Sequence, residues 1–181
     1  EFKPFVDFGR MPIANAFSTK KELENEYFFT MQVGFCDKCN MVQLLEQPDR
    51  EKMFHDNYAF FSSTSNYMID HFKKFTNAVS ILQSLDEKSF VVEIGSNDGI
   101  MLQNFLSENI PCLGIEPSTN VASVAMEKGI DVISEFFDKP LAEKILKDHQ
   151  KADAILSANV MCHIPYMHSI YEGIKTLLKR L

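Results

Sequence analysis

The fold is decided by the stretch Phe90-Val91-Val92-Glu93-Ile94-Gly95-Ser96-Asn97-Asp98-Gly99. A short apolar run bounded by glycines is typical of a buried parallel strand. Residues 100–106 then repeat apolar positions at helical spacing, so we expect a helix to open at Asp98 or Gly99. The stretch therefore predicts a strand, a tight glycine turn and a helix. In an α/β sheet this is the corner where a nucleotide or nucleoside lies beyond the carboxyl end of the strand.

The glycine spacing argues against a dinucleotide. A dinucleotide fingerprint needs Gly-x-Gly-x-x-Gly, but Asn97 and Ile100 stand at its second and third glycine positions. Residues 93–99 instead read Glu-x-Gly-x-x-x-Gly, which resembles motif I of the S-adenosylmethionine-dependent methyltransferases. That cofactor has no phosphate and carries a cationic sulfonium, so acidic groups such as Glu93 and Asp98 suit it. A plain strand-helix turn that binds nothing is the alternative interpretation.

A second acid supports the cofactor hypothesis. Residues 111–115 predict the next strand, and Glu116 ends it, about 20 residues past the turn, where a carboxylate accepts hydrogen bonds from ribose hydroxyls. An ordinary exposed glutamate before Pro117 is the alternative. Two phenylalanines after the third predicted strand offer a flat apolar face to adenine. The predicted cofactor-binding residues are Glu93, Gly95, Ser96, Asn97, Gly99, Glu116, Pro117, Phe136, Phe137 and Asn159.

Length and charge exclude several classes of protein. The chain has 181 residues and a formal net charge of −7, which disfavours non-specific binding to nucleic acid. Its apolar runs are too short to span a membrane, and we expect no secretory signal. Four cysteines do not form the dense pattern of a secreted disulfide scaffold, so we expect a reducing cytoplasm. Because the chain starts at Glu1 rather than Met, we expect residues upstream of it.

The pair Cys36-x-x-Cys39 lies between two strand-like runs, residues 27–35 and 41–45. A C-x-x-C at the tip of a hairpin is half of a zinc knuckle, in which thiolates bind a tetrahedral ion. Neither Cys112 nor Cys162 is placed to complete it. Three interpretations stay open: a knuckle whose other ligands lie upstream, a redox pair, and two free thiols.

Strands and helices alternate after residue 88, which predicts a parallel sheet with right-handed crossovers. Strands are predicted at 90–94, 111–115, 130–133 and 153–157, and helices at 98–108, 118–128, 138–149 and 166–180. The fourth strand leaves an open sheet edge, which is an aggregation liability, so we expect the protein to continue beyond Leu181.

The first part of the chain predicts a small separate module. Residues 1–17 read as an irregular, extended arm, and the cysteine hairpin follows it. A helix is expected from Asn66, capped by Ser65 or Thr64, with an apolar stripe that predicts core packing. The stripe consists of Met68, Phe72, Phe75, Val79 and Leu82. We therefore predict a small β module over 1–60, which is zinc-ribbon-like if the cysteine pair forms a zinc knuckle, and an α/β domain over 61–181.

Six segments in one order resemble the sugar-nucleotide C-methyltransferases that have an N-terminal zinc-binding domain. They are Asp7–Phe17, Phe35–Leu44, Tyr58–Ser65, Val92–Gly99, Gly114–Pro117 and Ala158–Ile164. The resemblance is to enzymes that methylate carbon 3 of a TDP-linked keto-deoxysugar. It implies S-adenosylmethionine and zinc as cofactors, Cys36 and Cys39 as two of four zinc ligands, and a Rossmann-like class I methyltransferase domain followed by a third domain.

Two departures from the family pattern stand out. The family's first C-x-x-C would precede Glu1, and its Glu-His motif with the proposed base would follow Leu181. Within this chain the candidates for catalysis are Tyr58, which matches an active-site tyrosine of the family, and His163, which follows the fourth strand. A structural histidine beside Pro165 is the alternative for His163. Alternative functions are methyl transfer to another small molecule or a protein, and cofactor binding without catalysis.

Overall fold

A computed structural model describes residues 2–179 of the chain. It divides into two compact units, Glu1–Ala59 and Phe60–Leu181, which we describe separately. Within the described residues, none of the helices combines the length and the apolar character needed to cross a bilayer.

The N-terminal unit is built on an antiparallel sheet in the order β1-β2-β3. Its strands are β1 Phe2–Pro12, β2 Phe28–Cys36 and β3 Val42–Leu44, and the short helix α1 Arg50–Met53 follows them. The prediction of an irregular arm over 1–17 was wrong for β1, which pairs with β2 despite two register shifts. A bulge absorbs one shift, since Gly9 takes φ +71° and its N–H donates to Asp7 Oδ1 at 2.8 Å.

The C-terminal unit is built on a parallel four-stranded sheet in the order β6-β5-β4-β7. Its strands are β4 Val91–Ile94, β5 Cys112–Ile115, β6 Asp131–Ile133 and β7 Ala154–Leu156. The predicted Rossmann-like α/β fold is confirmed, and each predicted strand lies within a residue of the observed one. Beside the start of β7, Leu178 forms a parallel bridge with Ala152, in place of the last turn of the helix predicted over 166–180.

The helices of this unit cover both faces of the sheet. They are α2 Asn66–Gln83, α3 Leu102–Ser107, α4 Thr119–Glu127, α5 Lys139–Asp148 and α6 Met167–Leu177. On one face, Val92 and Ile94 pack with residues of α5 and α6. On the other face, Val91 packs with Leu102 and Phe105 of α3, and Phe72 and Val79 of α2 lie against that cluster. Strands covered on both faces explain the continuous apolar runs in the sequence.

Candidate functional site

The candidate site lies at the carboxyl ends of β4 and β5. The turn after β4 is sharply bent, since Gly95 has φ +72° and Asn97 has φ +49°. The N–H groups of Gly95 and Ser96 both donate to Ile115 O, at 2.8 and 3.2 Å. The turn is therefore fixed against the end of the neighbouring strand, next to Glu116.

Glu116 is held by the backbone on both sides. Its Oε2 accepts from the Asn97 N–H at 3.0 Å, and its Oε1 accepts from the Ser118 N–H at 2.9 Å. Burial raises the pKa of this carboxyl, while the two N–H groups act in the opposite direction. Each oxygen keeps a further lone pair, so the carboxylate can still accept hydrogen bonds from a ligand. The position predicted for ribose recognition is thus a rigid one.

Several buried polar atoms at this corner have no hydrogen-bond partner among the described residues. They are Glu93 Oε2, Ser96 Oγ, Asp98 Oδ1 and Ser118 Oγ. Buried polar groups in folded proteins are almost always paired, and an unpaired group costs free energy. A polar ligand bound at this turn would supply hydrogen-bond partners for these unpaired atoms.

Glu93 has the most unusual environment of the site. Its side chain lies inside the sheet corner and is only 2% exposed. Burial raises the pKa of Glu93 well above 4.5, and the negative charges of Glu116 and Asp98 raise it further. The carboxyl is therefore neutral in the protein alone over a range where free glutamate is charged. A cation that entered this corner would favour its ionised form.

The glycines of the turn are required by the protein's own packing. A Cβ added at Gly95 would collide with Val160 Cγ2, from the segment that follows β7. A Cβ added at Gly99 would collide with Ile130 Cδ1 and come within 3.1 Å of Ala125 Cβ. The glycine spacing thus brings the post-β7 segment and α4 close to the turn.

The other residues predicted for cofactor binding lie around this corner or in the core. Pro117 is half-buried beside Glu116, and Asn159 is exposed with φ +58° after β7. Phe136 is half-buried, whereas Phe137 is 3% exposed and belongs to the core cluster with Ile170 of α6. The adenine role of these residues stays a prediction.

The two candidates for catalysis lie in different units. His163 is exposed in a 3₁₀ turn, Met161–His163, that follows β7. Tyr58 belongs to the N-terminal unit, where its ring centroid lies 5.7 Å from that of Phe54. Their catalytic roles stay predictions.

A tight turn closes the cysteine hairpin. Asn40 N–H donates to Cys36 O at 2.8 Å, and Asn40 takes φ +59° to close the turn. The backbone N–H groups of Cys39 and Lys38 lower the pKa of Cys36 to about 7. Among the described residues, no three His, Cys, Asp or Glu side chains are grouped to hold a metal ion. The two thiols therefore fit half of a tetrahedral zinc site.

Sequence reasoning missed the residues that attach the segment before α2 to the turn. Ser62 and Ser63 donate backbone N–H bonds to Asn97 Oδ1 and Asp98 Oδ2, each at 2.9 Å. Lys128 Nζ donates to Asp98 O at 2.6 Å and to Ser63 Oγ at 3.1 Å. The sequence signals this segment only by its run of hydroxyl residues over 62–65, which does not identify the partners of their backbone groups.

Comparison with known proteins found a matching family model for each of the two units. Residues 66–180, more than half of the chain, match a family model described as "Methyltransferase domain". The chain belongs to this methyltransferase family. Residues 1–54 match a model described as "Putative zinc binding domain", in agreement with the resemblance found in the sequence.

One curated relative matches over both units of this methyltransferase-family chain. It is the C-methyltransferase NovU of Streptomyces niveus, which is 28% identical over 174 residues. The match covers 96% of this chain but 41% of the relative, so the chain spans less than half of that protein's length.

The chain is also similar to solved structures, at lower identity. A magnesium protoporphyrin IX methyltransferase from Synechocystis PCC 6803 with bound SAM is 14% identical, at a TM-score of 0.45 over 64% of this chain and 58% of that one. A SAM-dependent methyltransferase from Anabaena variabilis is 16% identical, at a TM-score of 0.46 over 59% of this chain and 46% of that one.

Proposed function

We propose that this chain is the cofactor-binding part of an S-adenosylmethionine-dependent C-methyltransferase that acts on a TDP-linked keto-deoxysugar. The observation that carries the cofactor assignment is the environment of Glu116. This carboxylate is fixed by two backbone N–H groups beside the glycine turn, with unpaired buried polar atoms around it. The similarity to a C-methyltransferase over nearly the whole chain favours carbon as the methyl acceptor.

The residues of this corner fit S-adenosylmethionine. Glu116 would accept hydrogen bonds from the ribose hydroxyls through its free lone pairs. Ser96 and Asp98 each offer a buried polar atom that has no partner among the described residues. The acids Glu93 and Asp98 favour a cationic ligand over a phosphate. When bound, the cofactor supplies an electrophilic methyl group on a sulfonium.

Methylation of carbon requires a nucleophilic carbon beside a ketone. A base takes the proton from that carbon, and the resulting enolate forms the new C–C bond as the bond from sulfur to methyl breaks. The side chain that takes the proton must reach it and have a pKa near the working pH. Within this chain His163 and Tyr58 are our candidates for contact with the sugar. A small-molecule substrate and a cytoplasmic location complete the proposal.

We assign the N-terminal unit as a zinc-binding module in which Cys36 and Cys39 supply two thiolates. The lowered pKa of Cys36 suits this role because a thiolate, not a thiol, binds zinc. Structural zinc would stabilise the hairpin between β2 and β3, where the described residues form only a small sheet.

Calorimetry with S-adenosylmethionine tests the cofactor assignment. We expect Glu116→Gln to weaken binding by about 10-fold or more, because a hydrogen bond to a charged group contributes roughly 1.5–3 kcal/mol. Adenosine and 2′,3′-dideoxyadenosine then isolate the ribose contact, since the wild type should prefer adenosine and the variant should lose that preference. Glu127→Gln, an exposed acid on α4, is the matched control. Absence of binding to the wild-type chain would refute the cofactor assignment.

A further inference from the structure

The segment before α2, residues 60–65, is attached to the glycine turn by its backbone; we call it the strap. The side chain of Asn97 bonds to the strap twice, accepting from the Ser62 N–H at 2.9 Å and donating to Phe60 O at 3.0 Å. Asp98 Oδ2 accepts from the Ser63 N–H at 2.9 Å. The two side chains at the tip of the turn are thus used to hold the strap.

Lys128 joins the strap and the turn from a third element. It lies directly after α4, and its ammonium donates to Asp98 O of the turn at 2.6 Å and to Ser63 Oγ of the strap at 3.1 Å. The side chain is half-buried, so part of its charge is removed from water. Hydrogen bonds that involve an ionised group are the stronger ones, and this cation makes two of them across the same junction.

The contact between the strap and the turn is connected by one hydrogen bond to Glu116, the acid that we assign to the ribose. The residue that the strap holds by its side chain, Asn97, donates its own N–H to Glu116 Oε2 at 3.0 Å. The next residue, Asp98, has a buried oxygen, Oδ1, that has no partner among the described residues. A shift of the strap would therefore displace Asn97 and Asp98 together, and a misplacement of about 1 Å is enough to weaken a polar site.

We propose that Lys128 is a positioning residue of the cofactor site, which holds the strap against the glycine turn and so fixes Asn97 and Glu116 for the ligand. The proposal rests on the proposed function, since the ligand is S-adenosylmethionine. A lysine that only stabilised the fold would change the melting temperature but not the affinity of the folded protein. A positioning lysine changes the affinity under conditions where the protein is fully folded.

The test compares four chains by calorimetry with S-adenosylmethionine at a temperature where circular dichroism shows each to be folded. Lys128→Met should raise the Kd about tenfold, which corresponds to the loss of about 1.4 kcal/mol. Lys128→Arg keeps a cation that can bridge the same two oxygens and should stay within about threefold of the wild type. Lys147→Met removes an exposed lysine of α5 and matches the change in net charge, so its Kd should not change.

Ser63→Ala gives an independent measurement if Lys128→Met does not fold. It removes the strap end of the bridge while Lys128 stays bonded to the turn, and we expect the Kd to rise about threefold, less than for Lys128→Met. If Lys128→Met folds, an unchanged Kd in that variant would overturn the proposal. If Lys128→Met does not fold, an unchanged Kd in Ser63→Ala would overturn it. If the wild type itself does not bind, the proposed function fails instead, which is a different result.

Discussion

Substitution of Glu93 by glutamine isolates the cost of keeping a carboxyl in the buried corner between Asp98 and Glu116. Glutamine has nearly the same shape and does not ionise, and its amide can donate to either neighbouring carboxylate. Burial and the neighbouring charges raise the folded-state pKa of Glu93 well above 4.5. We therefore expect Glu93→Gln to stabilise the C-terminal unit at neutral pH.

The magnitude follows from proton linkage. Above pH 4.5 the unfolded chain loses the proton of Glu93, while the folded protein keeps it up to its own higher pKa. The folded state then binds more protons, so the free energy of unfolding falls as the pH rises, by about 1.4 kcal/mol per pH unit over that interval. The glutamine variant lacks this slope. The variant's advantage should be small near pH 4.5 and grow with pH until the pH reaches the folded-state pKa of Glu93.

Urea denaturation at pH 5, 6 and 7, followed by circular dichroism because the chain has no tryptophan, measures the difference. Glu116 has a raised pKa too and is present in both proteins, so each curve has its own pH dependence and the quantity compared is the difference between the two slopes. Glu127→Gln, on the exposed side of α4, controls for the loss of one charge. Parallel pH curves for the wild type and Glu93→Gln would refute the reasoning.

Two further predictions concern the turn and the metal. Gly95→Ala should lower the free energy of unfolding by about 1–2 kcal/mol for its positive φ and by about 1–3 kcal/mol more for overlap with Val160. Gly129 has φ +85°, but the nearest atom to a Cβ added there is Leu106 Cδ2, at 3.7 Å. Gly129→Ala should therefore show only the loss due to positive φ in the same denaturation assay. Equal losses of unfolding free energy in the two variants would contradict the packing argument. For the metal, in a protein that includes the other two zinc ligands, Cys39→Ser should lower the zinc content measured by mass spectrometry and the melting temperature of the N-terminal unit, whereas the exposed Cys162 should tolerate serine. Undiminished zinc in Cys39→Ser would exclude it as a ligand.

The strands of the C-terminal unit could be predicted because buried strands appear in the sequence as short apolar runs. Residues 91–94 are buried without exception, so the strand reads as one apolar run with an acid inside it. The predicted N-cap of α2 at Ser65 is confirmed, since Ser65 Oγ accepts from the Met68 N–H at 3.4 Å. Such features depend on neighbours in the sequence, and local patterns describe them well.

The predicted core face of α2 was wrong in part. Phe75 is 42% exposed and Leu82 is 79% exposed, although both belong to the apolar stripe. The fully buried residue of the helix is Thr76, which hydropathy assigns to the polar side. Its hydroxyl donates to Phe72 O, one turn back, at 2.9 Å, so burial leaves it satisfied. A pattern of residue types does not contain that hydrogen bond.

The attachment of the strap could not be predicted for a different reason. Ser63 and Lys128 are 65 positions apart, and the bonds that surround them run mainly between backbone groups and side chains. Neither residue type is specific to such a contact, because lysine is usually a solvated surface group. Only the fold brings α4 and the segment before α2 to the same turn.

The glycine motif and the binding site of this turn rest on separate physical arguments. Gly95 and Gly99 are explained by the side chains of Val160 and Ile130, which occupy the space that a Cβ would fill. Those contacts would favour glycine even in a protein that bound nothing. What points to a ligand is the polar side of the turn, where buried oxygens have no partner among the described residues, and where the charges of Glu116 and Asp98 add to burial in raising the pKa of Glu93. The packing contacts therefore explain why glycine stands at these two positions, and they would do so without a ligand. The unpaired oxygens and the raised pKa of Glu93 are independent of that packing, so the proposed cofactor site depends on them and not on the glycine motif.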